Sequence, residues 1–130
     1  AVGGGFGSAI RQLRGNGPHW FFHTKSGVAV KGISEKQFLA QVVDLARLCG
    51  FTHIYHTYDS RRSVPGFPDL VLLKPGRCLF IEVKREGKRL TPTQEDWARA
   101  LREAGAEVWW FMPSEWELLK RVLDPEGRIE

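Results

Sequence analysis

The stretch from Pro68 to Lys84, PDLVLLKPGRCLFIEVK, sets two carboxylates and an ammonium among residues that should build a core. Side chains two apart on a strand share a face, so Glu82 and Lys84 point the same way, with Phe80 behind them and Ile81 and Val83 opposite. A tight turn at Lys74-Pro75-Gly76 folds the preceding strand back and brings Asp69 beside the end of its partner. Asp69, Glu82 and Lys84 are therefore expected to converge at one edge of a sheet. Neighbouring carboxylates repel, and burial raises their pKa unless a cation sits between them. A divalent metal resolves the conflict. Hard oxygen ligands favour Mg²⁺ or Mn²⁺, which take one or two carboxylates and leave places for water and a substrate phosphate. The Val83 carbonyl, at the strand end, is a further candidate ligand. Lys84 supplies a hydrated point charge able to orient or deprotonate an attacking water and to offset charge on a phosphate. The bland alternatives are a turn role for Asp69 after Pro68 and a solvent-facing ion pair between Glu82 and Lys84.

The flanking segments must hold these groups in place. SEKQ, residues 34–37, is a capping box, and Phe38, Leu39, Val42, Val43, Leu45, Ala46 and Cys49 recur at helical spacing until Gly50 stops the helix. Glu35 precedes Phe38 by three positions and Val42 by seven, which sets its carboxylate near the buried face; a favourable helix-dipole contact explains it equally well. FTHIYHTY is β-rich, and DSRRSVPGFP is a loop of turn formers. In TPTQ, Thr91 caps a second helix, Pro92 takes its first position and Gln94 completes a second capping box, with Trp97, Ala98, Leu101 and Ala104 as its stripe and Gly105 as its end. The box accounts for Gln94 by itself, while its place on the stripe points it toward the site. EVWWFM reads as a strand, and SEWELLKRVL as a last helix capped by Ser114 with Glu117, stopping at Asp124-Pro125. Helix, strand, strand, strand, helix, strand, helix implies an α/β domain with a mixed central sheet flanked by helices and a parallel crossover between residues 78 and 112. Residues 1–33 read as an N-terminal arm, with a glycine-rich start and a hairpin in HWFFHTKSGVAVKG, and residues 125–130 as a tail.

A chain of 130 residues accommodates one ordinary domain. Its formal charge of +4 makes a polyanionic partner reasonable, and the basic residues cluster: Arg61 and Arg62 in one loop, Lys84, Arg85, Lys88 and Arg89 in another with only Glu86 between them. Cys49 and Cys78 lack metal-ligand spacing and read as small buried hydrophobes of a reducing cytosol. No apolar run approaches the ~18 residues of a membrane span and no secretory signal is visible, so a cytoplasmic protein without membrane contact is expected. His19 and His23 lack further ligands, and Trp20, Trp97, Trp109, Trp110 and Trp116 read as core or interface rather than base-stacking residues. His56, just before the first basic loop, is placed to touch a phosphate.

FPD and EVK, with residues 70–81 between them, match the signature of the PD-(D/E)xK nuclease superfamily, and the surroundings, SEKQF…HTYDSRRSVPGFPDLVLL…LFIEVKREGKRLTPTQ, resemble the VRR-NUC family of virus-type replication-repair nucleases. The resemblance covers residues 34 to about 123 and implies a nuclease domain over 34–124 with a restriction-endonuclease-like core. It makes Asp69 and Glu82 metal ligands, Lys84 the catalytic lysine, Glu35 the first-helix glutamate that completes a metal site, and Gln94 the glutamine following the EVK strand. It implies Mg²⁺ or Mn²⁺, a homodimer, and branched DNA such as four-way junctions as substrate in replication, repair or recombination. Arg61, Arg62, Arg85, Lys88 and Arg89 would grip backbone phosphates on either side of the cut, and His56 is a secondary candidate for touching the scissile phosphate, a solvated strand-end histidine being the plainer reading. A restriction-type or flap nuclease and a non-catalytic DNA-binding module are the rival readings, the last disfavoured because binding alone needs no metal-binding acids.

Overall fold

A computed structural model describes residues 32–57 and 64–129. Its elements are α1 (Glu35–Leu48), β1 (His53–His56), β2 (Leu70–Lys74), β3 (Arg77–Val83), α2 (Pro92–Glu103), β4 (Glu107–Phe111), a 3₁₀ turn (Pro113–Glu115) and α3 (Trp116–Leu123). The strands form one sheet in the order β1-β2-β3-β4, antiparallel except for the parallel β3–β4 pair. This is the mixed α/β architecture that the element order implies. The expected hairpin of the N-terminal arm, together with Trp20, Arg61 and Arg62, lies outside the described residues.

Both predicted capping boxes close. Ser34 Oγ accepts from the Gln37 N–H at 3.0 Å while Gln37 Oε1 accepts from the Ser34 N–H at 2.9 Å, and Thr91 and Gln94 repeat the arrangement on α2. Each box satisfies helix-end donors that would otherwise need water, so the first turn of each helix is held where its acidic or amide side chain is needed.

Strand alternation divides the core. Leu70 and Leu72 of β2 and Leu79, Ile81 and Val83 of β3 face one side, where Phe38, Val42, Leu45 and Ala46 of α1 and Leu119, Val122 and Leu123 of α3 cover them. Each fully buried Leu, Ile or Phe contributes about 1.5–3 kcal/mol relative to exposure. Phe80 of β3 and Val108 of β4 face the other side, against Ala98 and Leu101 of α2. The sheet is thus covered on both faces, and Glu82 belongs to the α2 side.

Two details depart from the sequence reading. Ser114 does not cap the last helix: a 3₁₀ turn comes first, the Met112 N–H is taken by Glu115 Oε1 at 2.8 Å, and Ser114 spends its donors on Glu86. Cys78 is exposed rather than buried, because position 78 lies in the outward set of β3 near the hairpin turn, where its strand partner Leu73 is also exposed. Cys49 is half-buried, and both thiols are free.

Candidate active site

The hairpin register decides the meeting of the two acids. The last β2–β3 pair is Leu70↔Ile81, and one step further the same register sets Asp69 against Glu82. Asp69 Oδ2 accepts from the Val83 N–H at 2.9 Å, so the side chain replaces a ladder carbonyl where β2 has already ended. Its main-chain carbonyl accepts from the Thr57 N–H at 2.9 Å, and Thr57 Oγ donates to the Pro68 carbonyl at 3.3 Å. Asp69 is thereby tied to β1 and β3 together. The convergence lies at the end of the two central strands, not at a sheet edge, because β1 and β4 flank them.

Gln94 joins the remaining pieces. Its Nε2 donates to Glu82 Oε2 at 2.8 Å, and its Oε1 accepts from Lys84 Nζ at 3.2 Å and from the Thr91 N–H at 2.9 Å. One amide therefore closes the helix cap and bonds both Glu82 and Lys84, so the capping bond does not keep Gln94 from facing these two residues. Lys84 reaches the acids through this amide, and its own N–H is paired with the Phe111 carbonyl at 2.9 Å.

Glu82 is only 6% exposed, and among the described residues no group donates to its Oε1; the Glu82 and Asp69 carboxyls can bond to each other only when a proton is held on Glu82. Burial, then the adjacent Asp69 carboxylate, push its pKa up to about 9, against a smaller opposing effect of Lys84. Burial also raises Asp69, although the Val83 N–H pulls the other way. Glu35 is exposed as a residue, yet partial shielding of its carboxyl raises it too, with Lys84 opposing and Asp69 adding. The protein alone thus disfavours charge at a place where it has gathered acids, which is the condition a bound cation relieves.

An open cavity of about 550 Å³ is lined by Glu35, His56, Asp69, Glu82, Val83 and Gln94, with Leu39, Val64 and Phe67 supplying its apolar surface. His56, at the end of β1, acts on Asp69 by its charge. Arg85, Lys88 and Arg89 occupy the exposed loop between β3 and α2. The structure thus brings Asp69, Glu82, Val83, Gln94, Glu35 and His56 to one cavity and Lys84 beside it.

No set of three or more His, Cys, Asp or Glu side chains among the described residues is arranged to hold a metal alone. The donor set nonetheless fits Mg²⁺ or Mn²⁺, which need one or two carboxylates and complete their shells with carbonyls, water and substrate oxygens. An orphaned buried carboxylate oxygen beside a second carboxylate is the specific observation in favour.

Three supporting residues escaped the sequence reading. Gly66, at φ 92°, lies so close to α2 that a Cβ there would come within 2.6 Å of Thr93 Cγ2 and 2.8 Å of its carbonyl oxygen. Phe67 packs edge-on against Phe80 and Trp97, at 6.0 and 5.3 Å between ring centres, so the loop leading to Asp69 is seated on β3 and α2. Thr57 holds the same loop from β1. Pro-Gly-Phe-Pro preceding Asp69 signals a rigid turn, but nothing local says what it rests on.

No helix among the described residues is long and apolar enough to cross a membrane. No curated protein matches the chain. One solved structure, a VRR_NUC domain protein, shares 20% identity and superimposes with a TM-score of 0.61 over 75% of this chain and 91% of that one, a likeness of fold. The VRR-NUC domain model matches residues 19–110, a span that includes Glu35, Asp69, Glu82, Lys84 and Gln94. On that match, which takes in well over half its length, the chain belongs to the VRR-NUC domain family, a family of nucleases.

Proposed function

We propose that this protein is a divalent-metal-dependent endonuclease that hydrolyses phosphodiester bonds in branched DNA, four-way junctions foremost, and works as a homodimer in replication, repair or recombination. The observation that carries the metal dependence is the Glu82 carboxylate: buried, set against Asp69, one oxygen orphaned and the other wired through Gln94 to Lys84. Asp69 and Glu82, with the Val83 carbonyl and Glu35, would hold Mg²⁺ or Mn²⁺, which would supply a water of lowered pKa and a polarised phosphodiester.

The chain's own groups have separable tasks. Gln94 Nε2 fixes the Glu82 carboxylate, and the Val83 N–H fixes that of Asp69, so neither must reorganise when substrate arrives. Lys84 Nζ, steadied by Gln94 Oε1, orients the attacking water and offsets negative charge as it builds on the phosphate. In-line attack with O3′ as the leaving group, the polarity that the superfamily resemblance implies, would leave a 5′-phosphate and a 3′-hydroxyl. Arg61, Arg62, Arg85, Lys88, Arg89 and His56 engage backbone phosphates, contacts that set position and carry no sequence information, which favours selection by DNA shape. One site cuts one strand, and a two-fold dimer supplies the second cut of a symmetric junction incision.

Cleavage of end-labelled linear duplex, flap and four-way-junction DNA with Mg²⁺, Mn²⁺ or chelator, alongside Lys84→Ala, tests the reading. Paired junction cuts that need metal and vanish in the variant are expected. Metal-independent binding without cleavage of any substrate would return the chain to a DNA-binding module.

A further inference from the structure

The loop between β3 and α2 carries Arg85, Lys88 and Arg89 around a single acid, Glu86. An acid that merely diluted their charge would stand in solvent. Glu86 instead is half-buried, and both its oxygens are taken by one residue: Oε1 accepts from the Ser114 N–H at 2.9 Å and Oε2 from Ser114 Oγ at 2.7 Å. The neighbouring Gly87 N–H donates to Met112 Sδ at 3.2 Å, and the Lys84 N–H to the Phe111 carbonyl at 2.9 Å. Residues 84, 86 and 87 are thus moored to the last residue of β4 and the segment that follows it.

Moored in this way, the loop leaves its cations exposed while its acid is held to Ser114. Arg85 and Lys88 are exposed, and with Gly32, Ile33, Ser34, Gly87 and Glu86 itself they line an open cavity of about 480 Å³; the Glu86 carboxylate there is already bonded to Ser114 through both oxygens. That cavity adjoins the candidate active site: Ser34 precedes Glu35, which lines the site, and Arg85 acts by its charge on the Glu35 carboxyl. A loop held in place before its ligand arrives loses less freedom on binding, and an acid whose two oxygens are already bonded to Ser114 does not compete for the cations beside it.

We propose that Glu86 is a positioning residue whose clamp on Ser114 builds a preformed phosphate cradle, from Arg85 and Lys88 beside residues 32–34, for a DNA backbone phosphate flanking the scissile one. This rests on the nuclease reading above. The loop is a part of the substrate track, and its geometry depends on a side chain that touches no DNA.

The test measures binding of a labelled four-way junction in Ca²⁺ between 50 and 200 mM KCl, cleavage kinetics in Mg²⁺, and thermal melting, for the parent, Glu86→Ala, Glu86→Gln, Ser114→Ala and the Glu86→Ala/Ser114→Ala double variant. Glu86→Ala is expected to make the slope of log K against log salt shallower by about 0.9 for each DNA phosphate that the loop no longer neutralises, and to raise KM about tenfold, with kcat kept within about twofold. Glu86→Gln, which keeps an acceptor for the Ser114 N–H, recovers part of the slope, and the double variant is no worse than Glu86→Ala alone. A folded Glu86→Ala protein with the parental slope and KM, changed only in melting, overturns the proposal; should that variant not fold, a parental slope in Ser114→Ala does the same. If the parent binds the junction but cuts nothing, the nuclease reading fails, and the salt slopes still decide the clamp. A parent that binds no DNA at any salt overturns both.

Discussion

Glu82 and Glu107 sit on neighbouring strands and are equally withdrawn from solvent, each 6% exposed. Glu107 receives Nε and Nη2 of Arg77 on its two oxygens and Trp109 Nε1 on one of them, at 2.9 Å for the indole. Glu82 receives one neutral amide, keeps one oxygen orphaned, and faces another carboxylate. Burial is the same, so burial does not make a site. What separates them is compensation: at the hairpin-turn end of the sheet a guanidinium pairs directly with the acid, and at the other end Lys84 reaches Glu82 only through Gln94. A structural ion pair completes itself.

The sharpest way to break this comparison is to neutralise both acids. Glu82→Gln is expected to reduce cleavage by about 10³-fold or more while leaving the metal-free protein at least as stable, because the parent must take up a proton at Glu82 to fold between pH 4.5 and about 9 and the amide needs none. Glu107→Gln is expected to lower stability by about 3 kcal/mol, since Arg77 loses its charged partner, with cleavage per folded molecule retained. Urea unfolding and junction cleavage on the two variants read both effects, and a matching response in either assay would erase the distinction.

A second measurement uses pH. Between the ordinary carboxylate pKa of 4.5 and the folded value of about 9, the native state holds a proton at Glu82 that the unfolded chain has released. Stability in chelator should therefore be greatest below pH 4.5 as far as this group is concerned, and should fall as pH rises toward 9; Asp69 and Glu35 are shifted in the same direction. Added Mg²⁺ or Mn²⁺ should flatten or reverse that fall, because the ion binds the deprotonated acids. Urea midpoints that rise from about pH 5 to about pH 9 in chelator would contradict the description of Glu82.

The smallest effect is expected at the connection between the acid and the lysine. Gln94→Ala frees Glu82 Oε2 and Lys84 Nζ and opens the capping box, which should cost about 10–100-fold in cleavage and about 1 kcal/mol in stability. Loss of stability alone, with cleavage intact, would reduce Gln94 to a cap.

Much of this was legible because it is local. The capping boxes link residues three apart, and Gly50 and Gly105 supply the positive φ, 93° and 97°, that ends α1 and α2. The two-residue period of strands, together with a Pro-Gly turn, suffices to set Asp69 against Glu82. The departures come from contacts between distant parts of the chain. Ser114 looks like a cap until Glu86, 28 positions away, occupies it. Cys78 looks apolar and buried until it is seen which end of the outward face α2 leaves open.

By itself, then, the amino-acid order determined the elements, the fold class and the convergence of Asp69, Glu82 and Lys84, since hydrogen bonds and side-chain periodicity between near neighbours act before any packing is specified. Only the tertiary structure decided which buried acid is balanced. Arg77 and Glu107 are 30 positions apart, and Gln94 and Glu82 are 12 apart. The charge state of a carboxylate depends on every dipole and ion within a few ångströms, and those neighbours are assembled by the packing of β4 and α2 onto the sheet.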